Sequence, residues 1–124
     1  MALHFSKMQG AGNDFVLIDN RSGFLSEQSL SELAPTICNR KYGIGSDGII
    51  TLQDDPQHSG GLLMVYKNPD GSDAGMCGNG ARCFAAFARW LGYGSRINFR
   101  VHNSHYLAEC QNEKVIIGFP LETR

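Results

Sequence analysis

The sequence predicts an α+β fold in which an antiparallel or mixed β-sheet wraps, as a partial barrel, around one buried central helix. Short runs of β-branched and aromatic residues recur along the chain, as expected of strands. Residues 81–91 have apolar side chains on nearly every face, as expected of an enclosed helix. The 124 residues are 42% hydrophobic and 19% charged, an ordinary globular balance that fits one domain over residues 1–124.

Six segments have the composition and length of β-strands. In one of them Ile97, Phe99 and Val101 alternate with polar neighbours, which predicts one buried and one solvent-facing side. Residues 111–114 are typical of a hairpin turn between the last two segments. The six predicted strands are residues 15–19, 49–52, 62–66, 97–101, 106–110 and 115–119.

The first predicted helix covers residues 29–41. Ser29 and Glu32 have the spacing of a capping box, and apolar residues recur at helical intervals up to the stop signal Gly43. Proline lacks a backbone N–H and its ring clashes with the preceding turn. Pro35 is therefore expected to kink or split this helix.

The second predicted helix, residues 81–91, has only two charged side chains. Arg82 and Arg89 lie seven residues apart and therefore on one face, while the other directions are apolar and include Trp90. Such a helix must be enclosed, so we expect strands wrapped around it. Enclosure would also hold the first turn of the helix rigidly at a cleft.

Charge and targeting patterns exclude several classes of protein. Eleven basic and twelve acidic side chains give a formal charge of −1, so there is no basic field to attract nucleic acid or an anionic membrane. The absence of a secretory signal pattern and of a run of membrane-spanning length predicts a cytoplasmic location. The four cysteines are widely spaced, which favours reduced thiols.

Cys77 has the surroundings most typical of a reactive cysteine. It directly precedes a glycine-rich turn, residues 78–80, that leads into the second helix. Free backbone N–H groups at a helix start favour a thiolate and can hold a carboxylate. The pattern predicts a site that holds an amino-acid carboxylate and places a sulfur base beside its α-carbon. The other cysteines lie in apolar patterns and are expected to be inert core or strand residues: Cys38, Cys83 and Cys110.

Two loops are candidates for the lining of this cleft, although each also has a simpler structural interpretation. Asn13 lies at the tight entry to the first predicted strand, where Asn13 or Asp14 could instead bond its own backbone in a turn. Asn68 lies at a strand end before a Pro-Asp-Gly turn, where a purely structural role is the alternative.

Neither a dinucleotide site nor a metal site is predicted. Residues 43–48 match Gly-x-Gly-x-x-Gly but follow a helix and precede a strand, which is the wrong context for a dinucleotide-binding turn. Residues 70–73 do not space ligands as a calcium loop does. His102 and His105 lack a third ligand nearby and are expected to be ordinary surface residues.

Four motifs occur in one order along the chain. They are residues 7–15 (KMQGAGNDF), 43–48 (GIGSDG), 68–72 (NPDGS) and 77–83 (CGNGARC). Together they resemble the N-terminal half of diaminopimelate epimerase, and the resemblance covers essentially the entire chain. Residues 117–120 (IGFP) are similar to the strand that closes the first half of that family's fold.

This resemblance implies one half of the diaminopimelate epimerase-like fold and a cofactor-independent isomerase. The family interconverts LL- and meso-diaminopimelate in the pathway to lysine, without pyridoxal phosphate. Two cysteines face opposite sides of the substrate α-carbon; one removes a proton as thiolate and the other donates one. By position, Cys77 is one of the two, Asn13 and Asn68 contact the substrate, and the N–H groups of Gly78 and Asn79 hold its α-carboxylate.

The chain departs from the family in two ways. Gly48 stands where many members have a glutamine that reaches the substrate, which puts that contact in doubt. The family's second half, which supplies the partner cysteine, is absent from these 124 residues, and Cys110 lacks the glycine context to replace it. We therefore expect the chain alone to be inactive. An apolar face where the other half would dock would favour homodimers.

Three interpretations stay open. The favoured one is the N-terminal half of a diaminopimelate epimerase, active only with the complementary C-terminal half. The second is a non-catalytic binding or structural domain that keeps the fold and some affinity for carboxylates. The third is an isomerase of the same fold that acts on another amino acid or is of the phenazine-pathway type, although that last group lacks the cysteine motif.

Overall fold

A single seven-stranded sheet forms the centre of the computed structural model, which describes residues 3–112 and 114–118. Its strands are β1 (Ser6–Gly10), β2 (Asn13–Asp19), β3 (Ile49–Asp54), β4 (Leu62–Lys67), β5 (Arg96–Val101), β6 (Ser104–Gln111) and β7 (Lys114–Gly118). They lie side by side in chain order. The pairs β2–β3 and β4–β5 are parallel and the other four pairs are antiparallel, so the sheet is mixed.

Helix α2 (Gly78–Ala88) lies on the concave face of this sheet. Its Phe84 and Phe87 are buried and belong to one core with apolar side chains of strands β2 to β6. Both edge strands, β1 and β7, contact α2, as do β2, β3 and β6. A sheet whose two edges reach the same helix is curled around it. The predicted partial barrel around a central helix is therefore confirmed.

Helix α1 (Glu27–Ile37) packs on the opposite, convex face. Leu30, Ala34 and Ile37 lie at helical spacing and form a second core with apolar side chains of β2, β3 and β4. Alternate residues of the central strands thus enter different cores, because side chains of a strand point to opposite faces of the sheet. No helix among the described residues has the length and apolar character needed to cross a membrane.

The boundaries of α1 differ from the prediction. The helix begins at Glu27 rather than Ser29, because the Ser26 side chain is the cap and accepts a hydrogen bond from the Ser29 N–H at 3.1 Å. It ends at Ile37 rather than residue 41. Pro35 was expected to kink or split the helix, yet it is exposed and lies inside one continuous helix.

The boundaries of α2 also differ from the prediction. It begins at Gly78, three residues earlier than expected, and ends at Ala88, where a single wider π-helical turn, Arg89–Tyr93, follows. Trp90 was expected to be enclosed, but it lies in that turn and is 75% exposed. The enclosed part of the helix is therefore its first three turns.

The six predicted strands are confirmed, most with somewhat wider bounds; Phe119, at the predicted end of the last, lies outside the described residues. β1 was missed because its residues are mostly polar and half-exposed, as an edge strand permits. The hairpin turn between β6 and β7 is confirmed by the pairing of Gln111 with Lys114. His102 lies in the β5–β6 turn and His105 in β6.

Arg100 is an exception to the alternating pattern of β5. It was expected on the solvent side, but it is buried, and its Nε and Nη2 donate hydrogen bonds of 2.9 and 2.8 Å to the two carboxylate oxygens of Asp55. This arrangement pairs the charge of the arginine at both oxygens. The hydrogen bonds from Arg100 hold the pKa of the Asp55 carboxyl well below its usual range.

This pair predicts a specific acid sensitivity. Because the pKa of Asp55 is lower in the folded than in the unfolded chain, its contribution to stability is present above about pH 4 and is lost as the pH falls further. Asp55→Asn should lower the free energy of unfolding at pH 7 by about 3 kcal/mol. The difference in unfolding free energy between this variant and wild type should become smaller below about pH 4. Denaturant titrations at several pH values measure both effects.

The neighbouring Asp54 is exposed and provides the matched control. Asp54→Asn should leave the free energy of unfolding within about 0.5 kcal/mol of wild type at pH 7. Equal losses of unfolding free energy in the two variants would contradict the role assigned to the Asp55–Arg100 pair. So would a loss in Asp55→Asn that does not change with pH.

Candidate active site

Cys77 occupies the capping position at the start of α2. Its backbone is extended (φ −124°, ψ 121°), and its Sγ accepts a hydrogen bond from the N–H of Gly80 at 3.5 Å. Gly78 and Asn79 are the first two residues of the helix, where backbone N–H groups have no acceptor within the helix. The structure thus places the thiol and these N–H groups together at the electropositive end of α2.

The other three thiols have different surroundings. Cys38, Cys83 and Cys110 are buried, whereas Cys77 is partly exposed. Burial raises the pKa of each of the three buried thiols, which keeps them protonated at neutral pH. Their predicted place in the core is confirmed, and Cys77 is the thiol that solvent reaches among the described cysteines.

Strand direction brings the predicted loop residues to the end of the sheet where α2 begins. β2 and β3 start at this end, and β1 and β4 finish there. Asn13 is the first residue of β2, Gly48 precedes β3 and Asn68 follows β4. The end of β1 lies against the helix, because a Cβ on Gly10 would be 3.2 Å from the backbone oxygen of Asn79.

A chain of side-chain hydrogen bonds links the start of α2 to the start of β2. Arg82 Nη1 donates to Asn79 Oδ1 at 2.7 Å, and Asn79 Nδ2 donates to Asn13 Oδ1 at 2.8 Å. Asn13 Nδ2 in turn donates to Asp47 Oδ2 at 3.3 Å. The contact of the Arg82 guanidinium is thus with an amide oxygen.

Asp47 is held by its own neighbours. Arg40 donates to Asp47 at 3.1 Å and to both carboxylate oxygens of Asp14 at 2.7 and 2.8 Å, and Lys7 lies 3.3 Å from Asp14. The hydrogen bond from Arg40 holds the pKa of Asp14 well below its usual range. The simpler interpretation, in which Asn13 or Asp14 bonds its own turn, therefore does not describe these side chains.

Asn68 belongs to a different arrangement. Its Nδ2 donates to Ser72 Oγ at 3.1 Å and to the backbone oxygen of Asp73 at 3.4 Å, so the side chain braces its own loop. The buried Lys67, which precedes Asn68, forms an ion pair with Asp73. Asn68 therefore lies at the same sheet end as Asn13 but outside the chain of hydrogen bonds described above.

Tyr66 fills the space beside Gly48. A Cβ on Gly48 would lie 2.4 Å from Tyr66 Cε1 and 2.9 Å from the backbone oxygen of Lys67. The Tyr66 ring is half-buried and meets the Phe15 ring edge-on at 5.7 Å. Burial, and after it the nearby Cys77, raise the pKa of Tyr66. The space that a side chain at position 48 would need is thus occupied by a ring from the next strand.

Asp47 and Tyr66 were not predicted as part of this site. Asp47 lies inside a quoted motif, but its contact with Asn13 spans 34 residues of sequence. Tyr66 ends a predicted strand, and its contact with Gly48 depends on the pairing of β3 with β4. Within the described residues no group of three His, Cys, Asp or Glu side chains is arranged to hold a metal ion. Residues 43–48 lead into β3, which is the local structure expected from the sequence.

The close packing at Gly48 predicts that a glycine-to-alanine substitution lowers stability more at position 48 than at position 75. Gly48→Ala should lower the free energy of unfolding by about 1–3 kcal/mol, because the added methyl group meets both a ring and a backbone oxygen. Gly75→Ala is the control, since a Cβ there would have nothing within 4 Å. It should change stability by less than about 0.5 kcal/mol. Thermal and denaturant unfolding of the two variants measure the difference, and equal effects would contradict the packing.

Several known proteins share parts of this architecture at low sequence identity. A phenazine biosynthesis protein of the PhzF family from Enterococcus faecalis aligns with a TM-score of 0.70 and 11% identity, over 93% of this chain and 43% of its own. A hydroxyproline epimerase from Agrobacterium vitis aligns with a TM-score of 0.59 and 16% identity, over 93% and 40%. At such identities the likeness shows the fold alone, and it supports the diaminopimelate epimerase-like fold.

Sequence comparison identifies closer relatives. A diaminopimelate epimerase from Flavobacterium psychrophilum is 48% identical over 85 residues, which are 68% of this chain and 32% of the relative. A chloroplastic diaminopimelate epimerase from Oryza sativa subsp. japonica is 38% identical over 126 aligned positions, covering 97% of this chain and 35% of the relative. The chain therefore spans about a third of the length of these relatives. The diaminopimelate epimerase family model matches residues 5–118, and the chain belongs to that family.

Proposed function

We propose that this chain is the N-terminal half of a cofactor-independent epimerase that interconverts LL- and meso-diaminopimelate in the pathway to lysine. One observation carries the proposal: Cys77 caps α2, beside the N–H groups of Gly78 and Asn79. That arrangement offers a base and a carboxylate site at adjacent positions. The choice of diaminopimelate as the substrate rests on family membership.

The proposed chemistry needs only groups that proteins supply. The Cys77 thiolate takes the α-proton, and the electron pair of the broken C–H bond remains on the α-carbon. The N–H groups of Gly78 and Asn79 bind the α-carboxylate and stabilise the charge that develops beside it. A second thiol on the other side of the α-carbon then donates a proton, which inverts the centre and leaves that second sulfur as thiolate.

The second thiol has to come from elsewhere. Cys38, Cys83 and Cys110 are buried, so none of them offers an accessible partner on the far side of a substrate at Cys77. We propose that it lies on the complementary C-terminal half, which would also complete substrate recognition around Asn13 and Asn68. The chain alone would then hold half of the catalytic pair.

Exchange of the α-hydrogen with D₂O tests this proposal. The chain alone should not catalyse exchange from LL-diaminopimelate, whereas co-expression with the C-terminal segment of a family member should restore it, as NMR of the substrate would show. Cys77→Ser should lower the restored rate by about 10²–10⁴-fold, because the base is lost. Cys83→Ser, six residues further along the same helix, is the matched control and should retain most of the activity.

Two results would count against the proposal. Rapid exchange by the isolated chain would show that no second half is needed. Full activity of the Cys77→Ser variant would show that the base lies elsewhere. If the paired halves are inactive and diaminopimelate does not protect Cys77 from alkylation, a non-catalytic structural domain becomes the better interpretation.

A further inference from the structure

The hydrogen bonds between α2 and β2 run in one direction. The guanidinium of Arg82 can only donate hydrogen bonds, and the ionised carboxylate of Asp47 can only accept them. Between these two ends lie the side-chain amides of Asn79 and Asn13, each of which has one donor and one acceptor end. The chain of bonds therefore runs from Arg82 through Asn79 and Asn13 to Asp47.

The two ends leave one arrangement for the amides between them. If the Asn79 amide were reversed, its NH₂ group would face the Arg82 guanidinium and its oxygen would face the oxygen of Asn13. Reversal of Asn13 would place its oxygen against the Asp47 carboxylate. Each reversal sets like groups against each other and leaves partly buried polar atoms unpaired.

We propose that Arg82 and Asp47 are positioning residues that fix the amides of Asn79 and Asn13 in one orientation at the candidate active site. The functional part of this proposal rests on the proposed function, because it takes the site around Cys77, two residues before Asn79, to bind the substrate. The orientation itself follows from the donor and acceptor chemistry of the four side chains.

We call the hydrogen bonds from Arg82 through Asn79 and Asn13 to Asp47 the relay. Its acceptor end, Asp47, is also held by other groups. Asp47 Oδ2 also accepts a hydrogen bond from the Asp14 N–H at 3.1 Å, and its Oδ1 accepts one from Arg40. The loop before β3, the start of β2 and the first turn of α2 are thereby joined. Each of the two amides keeps one N–H that these hydrogen bonds do not use.

Side-chain amide NMR on the isolated chain tests the relay without any need for catalysis. Arg82→Met should change the NH₂ resonances of Asn79 and also those of Asn13, which Arg82 does not touch. Asp47→Asn should change the resonances of Asn13 and also those of Asn79. Arg82→Lys keeps a donor at this position and should retain most of the wild-type pattern.

Arg89 begins the π-helical turn that follows α2 and donates to the backbone oxygen of Asn112, so Arg89→Met is the matched control. It should leave the resonances of both amides unchanged. The proposal is overturned if Arg82→Met alters Asn79 alone and Asp47→Asn alters Asn13 alone, since the two amides would then be independent. Because Arg82 is exposed, its loss should not unfold the chain.

Kinetics of the co-expressed halves then test the functional part. Arg82→Met should raise KM for diaminopimelate about tenfold with a smaller change in kcat, because a substrate-binding amide loses its orientation. Arg82→Lys should restore KM to within about twofold of wild type. An unchanged KM would overturn the positioning role, whereas inactivity of the wild-type halves would count against the proposed function and leave the NMR result standing.

Discussion

The enclosure of α2 is the constraint on which the rest of the structure depends. Phe84 and Phe87 can leave water only if strands surround the helix, and both edges of the sheet reach it. A helix held on so many sides cannot shift its first turn without disturbing the core. Cys77 is therefore placed by the packing of residues one to three turns away, although it is itself only partly buried.

Strand direction then determines which side chains surround that turn. The parallel pairing of β2 with β3 places Asn13 and Asp47 at the same level, although they are 34 residues apart. Polar groups at this end would be costly if they were unpaired, since they border a core. The relay and the Arg40 contacts satisfy them. The packed helix and the polar network thus fix the same helix start from two sides.

The local sequence patterns predicted the core better than its polar borders. Apolar periodicity identified the enclosed helix and six strands because burial leaves a regular trace in the sequence. β1 was missed, because an edge strand with polar residues leaves no such trace. The start of α2 was placed too late, since glycine and asparagine are poor helix formers and the Cys77 cap acts only in the folded chain. Partners such as Asp47, and Asp55 for Arg100, depend on the topology of the sheet.

The absence of a side chain at Gly48 is part of a consistent packing arrangement. Tyr66 already occupies the volume beside it, so a longer side chain at position 48 would require the ring or the backbone of Lys67 to move. A longer side chain at this position is thereby disfavoured. If the proposed function holds, recognition at this end must rely more heavily on the backbone of α2 and on the oriented amides of Asn13 and Asn79. That dependence gives a physical reason for the relay to be anchored by charged groups at both ends.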